Sequence, residues 1–170
     1  MKRKIKVILV MAMTLDGKIA RHSLEEVDWT GSADKKVFVD ITKKAGVIIM
    51  GSKTFDTIGK VLPRRRNIVM TSNTSRVSND ENLVFSNRTP EEILNELENE
   101  GFDSAALIGG STINGLFAGK KLIDEIYVTV VPKIFGEGLS LFSGALDMEL
   151  ELMDIQKIDS QAILMRYKVN

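Results

Sequence analysis

The fold prediction rests on the segment Val47-Ile48-Ile49-Met50-Gly51-Ser52-Lys53-Thr54. Its first four residues form an uninterrupted apolar run, which is typical of a strand buried on both faces of a sheet. Gly51 then begins a short helix that ends near Gly59. A helix that starts directly at the end of a strand presents free backbone N–H groups, and such groups bind phosphate.

The same pattern occurs a second time along the chain. Ser104–Ile108 is predicted to be a buried strand, and Gly109-Gly110 leads from it into another helix. Glycine at such turns lets the backbone approach a ligand closely. Two turns of this kind in one small α/β domain predict a site for a dinucleotide with separated phosphates.

The remaining segments predict further strands and helices. A helix is expected from Ala33 to about Ala45, capped by Ser32. Another begins at Thr89, where Pro90 and Glu92 complete a capping box. The strands are predicted at Ile5–Met13, Asn67–Thr71, Leu83–Phe85, Ile123–Val131, Leu150–Ile158 and Ala162–Val169. The segment Thr14–Asp28 is predicted to be a loop.

Strands alternate with helices until the chain ends in two adjacent strands. We therefore predict one α/β domain over residues 1–170, with a mostly parallel central sheet flanked by helices and a C-terminal antiparallel hairpin.

Composition narrows the possible functions. Lys and Arg number 23 and Asp and Glu also number 23, so the balanced charge argues against nucleic-acid or membrane-surface partners. The absence of cysteine and the single histidine, His22, argue against disulfides, a thiolate nucleophile and a Cys- or His-based metal site. No apolar run is long enough to span a membrane. We expect a cytoplasmic protein that binds small molecules and no metal, as a monomer or a homodimer.

Two polar features have two interpretations each. Asp34 lies in the first turn of its predicted helix, where a carboxylate either interacts with the helix dipole or serves a site. Arg64-Arg65-Arg66 is either a solvated basic turn or a binding site for a carboxylate or phosphate.

Several segments resemble one enzyme family. The block Val47–Val69, with Met50-Gly51, Thr54-Phe55, Ile58-Gly59, Leu62-Pro63, Arg65 and Asn67, is similar to the central block of dihydrofolate reductases. That block reads apolar strand, Met-Gly-Arg-x-Thr-aromatic, Ser-Ile-Gly, then Leu-Pro-x-Arg-x-Asn. Three further matches are Trp29–Asp34, Ile108-Gly109-Gly110 and Tyr127-Val128-Thr129.

The resemblance implies NADPH-dependent reduction of 7,8-dihydrofolate to tetrahydrofolate. Asp34 would anchor the pterin and promote its protonation, and Thr129 would support that acid. The implied substrate contacts are Val10, Phe38, Ile108 and, for the distal carboxylate, Arg65.

The resemblance also implies a set of NADPH contacts. Ala12 and Ile19 would flank the nicotinamide, and Lys53 and Ser72 would face the 2′-phosphate. The other implied cofactor residues, most of them along the pyrophosphate, are Gly51, Thr54, Thr71, Gly109, Gly110, Ser111 and Thr112. The loop from Thr14 to Asp28 would close over the reacting rings and exclude water.

Some positions depart from the folate pattern. Ser52 stands where many members of the family have an arginine, and Asn114 stands where they usually have a tyrosine. The segments Thr14–Ala20, Thr112–Gly115 and Val131–Phe142 instead resemble the reductase domain of riboflavin biosynthesis, which reduces the ribose of a phosphorylated ribosylaminopyrimidine. That substrate, another pteridine, and a non-catalytic nucleotide-binding module remain alternatives.

Overall fold

The computed structural model describes residues 3–170 and contains ten strands and four helices in that range. The strands are β1 (Lys6–Thr14), β2 (Lys18–Ala20), β3 (Val47–Gly51), β4 (Arg66–Met70), β5 (Leu83–Ser86), β6 (Ser104–Leu107), β7 (Glu125–Val131), β8 (Leu139–Ser140), β9 (Leu150–Lys157) and β10 (Ile163–Val169). The helices are α1 (Gly31–Ala45), α2 (Ser52–Ile58), α3 (Pro90–Asn99) and α4 (Ser111–Gly119). None of the helices in this range is both long enough and apolar enough to cross a bilayer.

Eight strands form one sheet in the order β5-β4-β3-β6-β1-β7-β10-β9. The first six strands in that order are parallel, whereas β10 pairs antiparallel with β7 and β9 pairs antiparallel with β10. This arrangement confirms the predicted mostly parallel sheet with a C-terminal hairpin. Because the parallel strands share one direction, their carboxyl ends lie at one edge of the sheet.

Each face of the sheet carries its own apolar core. On one face, Val10, Met50 and Ile108 pack with Phe38 of α1 and Phe55 of α2. The opposite face packs against α3 and α4, through side chains that include Ile93, Leu94, Leu97, Phe117 and Ala118. The short apolar strands are buried on both faces, as their continuous hydrophobic runs predict.

Two local predictions need correction. The segment Thr14–Asp28 is not entirely loop, because Lys18–Ala20 forms β2 and pairs antiparallel with β8 in a small second sheet. A three-residue strand whose partner lies far along the chain leaves no periodic signal in the sequence. Helix α1 is not capped by Ser32, since its N-cap is Thr30, which is buried beside Asp34. By contrast, α3 begins with the predicted capping box of Thr89 and Glu92.

Helix α4 is held against the segment 141–143 by close backbone contacts. Asn114 donates a hydrogen bond from Nδ2 to the Leu141 carbonyl at 2.8 Å, and the Ser143 N–H donates to the Ser111 carbonyl at 3.1 Å. A Cβ atom on Gly115 would lie 2.2 Å from the Ser143 carbonyl oxygen. Glycine is therefore required where the helix meets this segment.

We expect Gly115→Ala to lower the free energy of unfolding by about 1–3 kcal/mol, because the added methyl group forces α4 away from Ser143. Gly119→Ala is the control, since it lies on the same helix and a Cβ there meets nothing within 4 Å. The control is expected to be neutral or stabilising by up to about 1 kcal/mol. Urea denaturation measures both variants, and equal losses from the two would contradict the packing argument.

Candidate active site

Two glycine turns meet at the carboxyl edge of the sheet. Gly51 is the last residue of β3 and donates its N–H to the Gly109 carbonyl at 2.8 Å, which joins the β3–α2 turn to the β6–α4 turn. The Gly109–Gly110 peptide is cis, and a Cβ on Gly110 would lie 3.4 Å from the Thr54 hydroxyl oxygen. The two turns predicted from the sequence therefore form one continuous cradle of backbone.

The cradle is suited to a negatively charged group. Helix α4 starts at this point with Gly110 as its N-cap, and within residues 3–170 no side-chain hydrogen bond caps it. Those N–H groups and the positive end of the helix dipole attract an anion. Ser111 is buried at the start of the helix, and the adjacent Thr112 is exposed.

The candidate acid lies on the face of the sheet covered by α1. Asp34 is half-buried in the first turn of that helix. Burial raises the pKa of its carboxyl above the usual aspartate range, whereas hydrogen bonding to Thr30 and Thr129 acts in the opposite direction. Thr129 of β7 is buried and pairs in register with Ala12 of β1, so both residues lie on the face that Asp34 approaches.

Apolar side chains form the floor and one wall beside this acid. Val10 and Ile108 are each 5% exposed and belong to one cluster, against which Phe38 packs from α1. Ala12 lies two residues beyond Val10 on the same side of β1. The structure thus brings together the three apolar substrate positions predicted from the sequence.

A second polar group lies further along α1. Asp34, Phe38 and Thr42 are spaced four residues apart, so they follow one side of the helix over about 12 Å. The Thr42 hydroxyl accepts a hydrogen bond from the Arg65 guanidinium at 2.8 Å and donates to the Phe38 carbonyl at 2.7 Å.

Arg65 is a buried cation rather than a solvated surface residue. It is 4% exposed, and its Nε donates to the Pro63 carbonyl at 3.1 Å. No carboxylate among residues 3–170 forms an ion pair with it. Burial, together with the nearby charge of Arg64, lowers the pKa of Arg65. A buried guanidinium without a counterion favours the binding of an anion.

The segment that follows β1 is fastened to the segment that follows β7. The Asp16 carboxylate accepts backbone hydrogen bonds from Gly136 at 2.7 Å and from Phe135 at 3.2 Å. A hydrogen bond from the Thr14 hydroxyl lowers the pKa of Asp16 most, and the two backbone contacts lower it further. Ile19, which lies in β2, is 7% exposed. The two segments therefore cover the end of β1 as a single unit.

An aromatic contact anchors the chain before α1. The rings of Trp29 and Phe135 meet edge to face at 5.1 Å, and the Arg21 guanidinium lies 3.9 Å from the centre of the Phe135 ring. Trp29 therefore fixes the entry to α1 through the same segment that holds Asp16.

The outer cofactor positions lie at the ends of β3 and β4. Lys53 and Ser72 are exposed, and the Thr71 N–H donates to the Ser86 carbonyl at 2.9 Å. Arg76, which the sequence analysis left unassigned, donates to Asp56 at 2.6 and 3.1 Å and stacks over Phe85. Asp56, the partner of Arg76 on α2, is 20 residues away in the sequence, so no local motif predicts this contact.

Thr30 and Thr42 were also missed by the sequence analysis. The signal for Thr42 was its spacing, because it lies eight residues after Asp34 on the same side of the predicted helix. Thr30 lay within the quoted tryptophan segment, but its burial beside Asp34 depends on the packing of α1 against the sheet.

The chain is similar to known proteins in both sequence and fold. Residues 5–164 match the family model described as the RibD C-terminal domain. The chain belongs to that family. It is also 30% identical over 142 residues to the dihydrofolate reductase of Staphylococcus haemolyticus, covering 81% of this chain and 76% of the relative.

Solved structures show the same fold for this RibD C-terminal domain family member. Acinetobacter baumannii RibD superposes with a TM-score of 0.86 at 18% identity, covering 99% of this chain and 59% of that one. Dihydrofolate reductase from Enterococcus faecalis, complexed with NADP(H) and RAB-propyl, gives a TM-score of 0.75 at 21% identity, with coverages of 99% and 98%. By its family, the chain is an oxidoreductase.

The raised pKa of Asp34 predicts a pH-dependent stability difference. The folded protein holds this proton more tightly than the unfolded chain, so stability falls as the pH rises from the unfolded to the folded pKa. Asp34→Asn removes that loss. We expect the difference in melting temperature, Asp34→Asn minus wild type, to become more positive as the pH rises from about 4 to about 7.

Asp40→Asn is the matched control, because Asp40 is an exposed carboxylate on the same helix. Thermal unfolding of the three proteins is followed by circular dichroism across that pH range. A melting-temperature difference between Asp34→Asn and wild type that stays constant with pH would show that burial does not perturb this carboxyl.

Proposed function

We propose that the protein catalyses the NADPH-dependent reduction of 7,8-dihydrofolate to tetrahydrofolate. The observation that carries the proposal is the line of groups along α1: a half-buried acid at Asp34, an aromatic ring at Phe38, and the buried Arg65 guanidinium on Thr42. Their span of about 12 Å suits a substrate with a polar heterocycle at one end and a carboxylate at the other.

Asp34 is the group that would bind and protonate the heterocycle. A carboxylate with a raised pKa donates and accepts protons more readily near neutral pH than an ordinary aspartate. It would hold the 2-amino group and ring N–H of the pterin and promote protonation of the imine nitrogen. Thr129 would be the positioning partner, because its buried hydroxyl is available to hydrogen-bond the carboxylate and lowers the pKa of Asp34.

The apolar walls would orient the ring and exclude water. Val10 and Ile108 would lie beneath it, while Phe38 would pack against its side. Exclusion of water strengthens the interaction between the acid and a developing positive charge on the substrate. The unit formed by the Asp16 and Gly136 segments would cover the site from the other side.

The cradle of glycine turns fits a nicotinamide dinucleotide. Gly51, Thr54, Gly109, Gly110, Ser111 and Thr112 would bind the pyrophosphate, and Ala12 and Ile19 would flank the nicotinamide. Gly109 adopts φ +101°, and a Cβ there would lie 3.1 Å from the Met11 side chain, so this turn keeps its shape only with glycine. When bound, NADPH supplies the hydride, and the protein supplies alignment and electrostatic stabilisation.

The preference for a 2′-phosphate would rest on few cations. Ser52 provides no charge, which leaves Lys53, with Thr71 and Ser72 as hydrogen-bonding groups, at that end of the cradle. Arg76 lies in the same loop region, but its guanidinium is engaged by Asp56. We therefore expect NADPH to be preferred over NADH by a smaller factor than two free arginines would give.

A second candidate substrate is the phosphorylated ribosylaminopyrimidine of riboflavin biosynthesis. It is favoured by the family match over residues 5–164. It is also favoured by Asn114, which stands where dihydrofolate reductases usually have a tyrosine and whose amide donates a hydrogen bond to the Leu141 carbonyl. Dihydrofolate is preferred because the α1 line ends at the buried Arg65, which forms no ion pair with a carboxylate of residues 3–170.

The deciding experiment follows NADPH absorbance in purified protein after addition of dihydrofolate. We expect oxidation that depends on dihydrofolate and that Asp34→Asn slows by about 10²-fold or more while NADPH binding persists. Asp40→Asn on the same helix serves as the control with normal turnover. NADPH binding without oxidation would exclude dihydrofolate and move the test to the ribosylaminopyrimidine phosphate.

Arg65→Ala is expected to raise the KM for dihydrofolate by about tenfold or more, with a much smaller change in the KM for NADPH. Arg65→Lys, which keeps the charge but loses the planar fork, is expected to lie between the two. Because Arg65 is buried, circular dichroism must first show that each variant is folded. Equal increases in both KM values would indicate a purely structural role.

A further inference from the structure

Leu141 forms hydrogen bonds with two parts of the candidate site at once. Its N–H donates to the Gly17 carbonyl at 3.3 Å, and its carbonyl accepts a hydrogen bond from the Asn114 amide at 2.8 Å. Gly17 lies in the turn between β1 and β2, whereas Asn114 lies in the first turn of α4. One residue therefore links the segment that covers the end of β1 to the helix that starts at the glycine cradle.

The rest of the 133–143 segment strengthens the link to β2. The Lys133 carbonyl accepts a hydrogen bond from the Leu15 N–H at 2.9 Å, and β8 pairs antiparallel with β2. A Cβ on Gly138 would lie 2.5 Å from the Ala20 carbonyl oxygen, so the two backbones are in direct contact there. These contacts fix the backbone of β2, which carries Ile19.

The other end of the 133–143 segment is held on α4. The Ser143 N–H donates to the Ser111 carbonyl at 3.1 Å, and the missing side chain of Gly115 leaves room for this approach. Ser111 is the first residue of α4, directly after the N-cap Gly110. The segment thus runs from β2 to the first turn of α4 and is hydrogen-bonded at both ends.

Asn114 lowers the stability of the fold at its own position. Its side chain is fully buried, and its Oδ1 accepts no hydrogen bond from any group in residues 3–170. A buried acceptor without a donor destabilises the folded state, and asparagine also has a low helix propensity. What the structure gains from this amide is a fixed position for the Leu141 carbonyl.

From these contacts we infer that Asn114 is a positioning residue for the dinucleotide cofactor. The inference rests on the proposed function, because it takes the glycine cradle as the pyrophosphate site and Ile19 as one flank of the nicotinamide. By holding Leu141, Asn114 fixes the spacing between these two ends of the cofactor site. A misplacement of about 1 Å at such a site slows a reaction by about 10²-fold, even when the change lies far from the reacting atoms.

The first test measures binding and needs no substrate. NADPH is compared with 2′-phospho-ADP-ribose, which has the same pyrophosphate and adenosine end but no nicotinamide, by calorimetric titration of the full chain. In Asn114→Leu, the affinity for NADPH is expected to fall by about three- to tenfold, while the Kd of 2′-phospho-ADP-ribose stays within about twofold. An equal loss for both ligands, or no loss for either, would overturn the positioning role.

Ile93→Val is the control for a general loss of stability, because Ile93 is a core residue of α3 and lies outside both α4 and the 133–143 segment. It is expected to keep both affinities. Circular dichroism first shows that each variant is folded. If Asn114→Leu does not fold, Asn114→Ser replaces it with the same expectation, since its shorter side chain leaves the Leu141 carbonyl unpaired.

Turnover of dihydrofolate gives the second readout. The kcat of Asn114→Leu is expected to fall by about tenfold or more with the KM for dihydrofolate within about twofold, because the substrate groups on α1 are unchanged. A normal kcat in the folded variant would overturn the positioning role and leave the proposed reaction intact.

The two proposals fail in different ways. If the wild type binds NADPH but does not turn over dihydrofolate, the proposed substrate is wrong, and the binding comparison still decides the role of Asn114. If the wild type binds neither NADPH nor 2′-phospho-ADP-ribose, the proposed function is overturned together with the positioning role that rests on it.

Discussion

The hydrogen bond from the Gly51 N–H to the Gly109 carbonyl joins two turns that lie far apart in the sequence, and the site depends on that junction. It is possible because neither turn carries a side chain at the contact. A Cβ on Gly51 would lie 2.9 Å from the Ile113 side chain, and one on Gly109 would lie 3.1 Å from Met11. Close approach of backbone to backbone therefore replaces side-chain packing at the edge where the parallel strands end.

On the face of the sheet covered by α1, two charged groups lie in unfavourable electrostatic environments. Asp34 keeps a half-buried carboxyl whose pKa is raised, and Arg65 keeps a buried guanidinium whose pKa is lowered. Each shift means that the charged form is less stable than it would be in water. Both residues lie along α1, at opposite ends of the apolar surface that Phe38 contributes to. A ligand with complementary charges at both ends would relieve both penalties.

Local sequence patterns predicted the elements that depend on interactions between residues close together in the sequence. The α3 start was correct because the Thr89 and Glu92 capping box is completed within four residues. The buried strands were predicted correctly because a continuous apolar run is typical of a strand that is buried on both faces of a sheet. The β2–β8 pair was missed because its two strands are distant in the chain. The α1 cap was assigned to Ser32 instead of Thr30 because both residue types favour the N-cap position and they lie only two residues apart.

The sequence by itself determined the α/β class, the two glycine turns, the acid in the first turn of α1 and the family resemblance, since each is written in contiguous residues. Only the tertiary structure decided that Arg65 is buried on Thr42, that Asp16 binds the backbone of Gly136, and that Asn114 binds the Leu141 carbonyl. These contacts join elements remote in sequence. Their energies depend on burial and distance, which no local pattern of residues specifies.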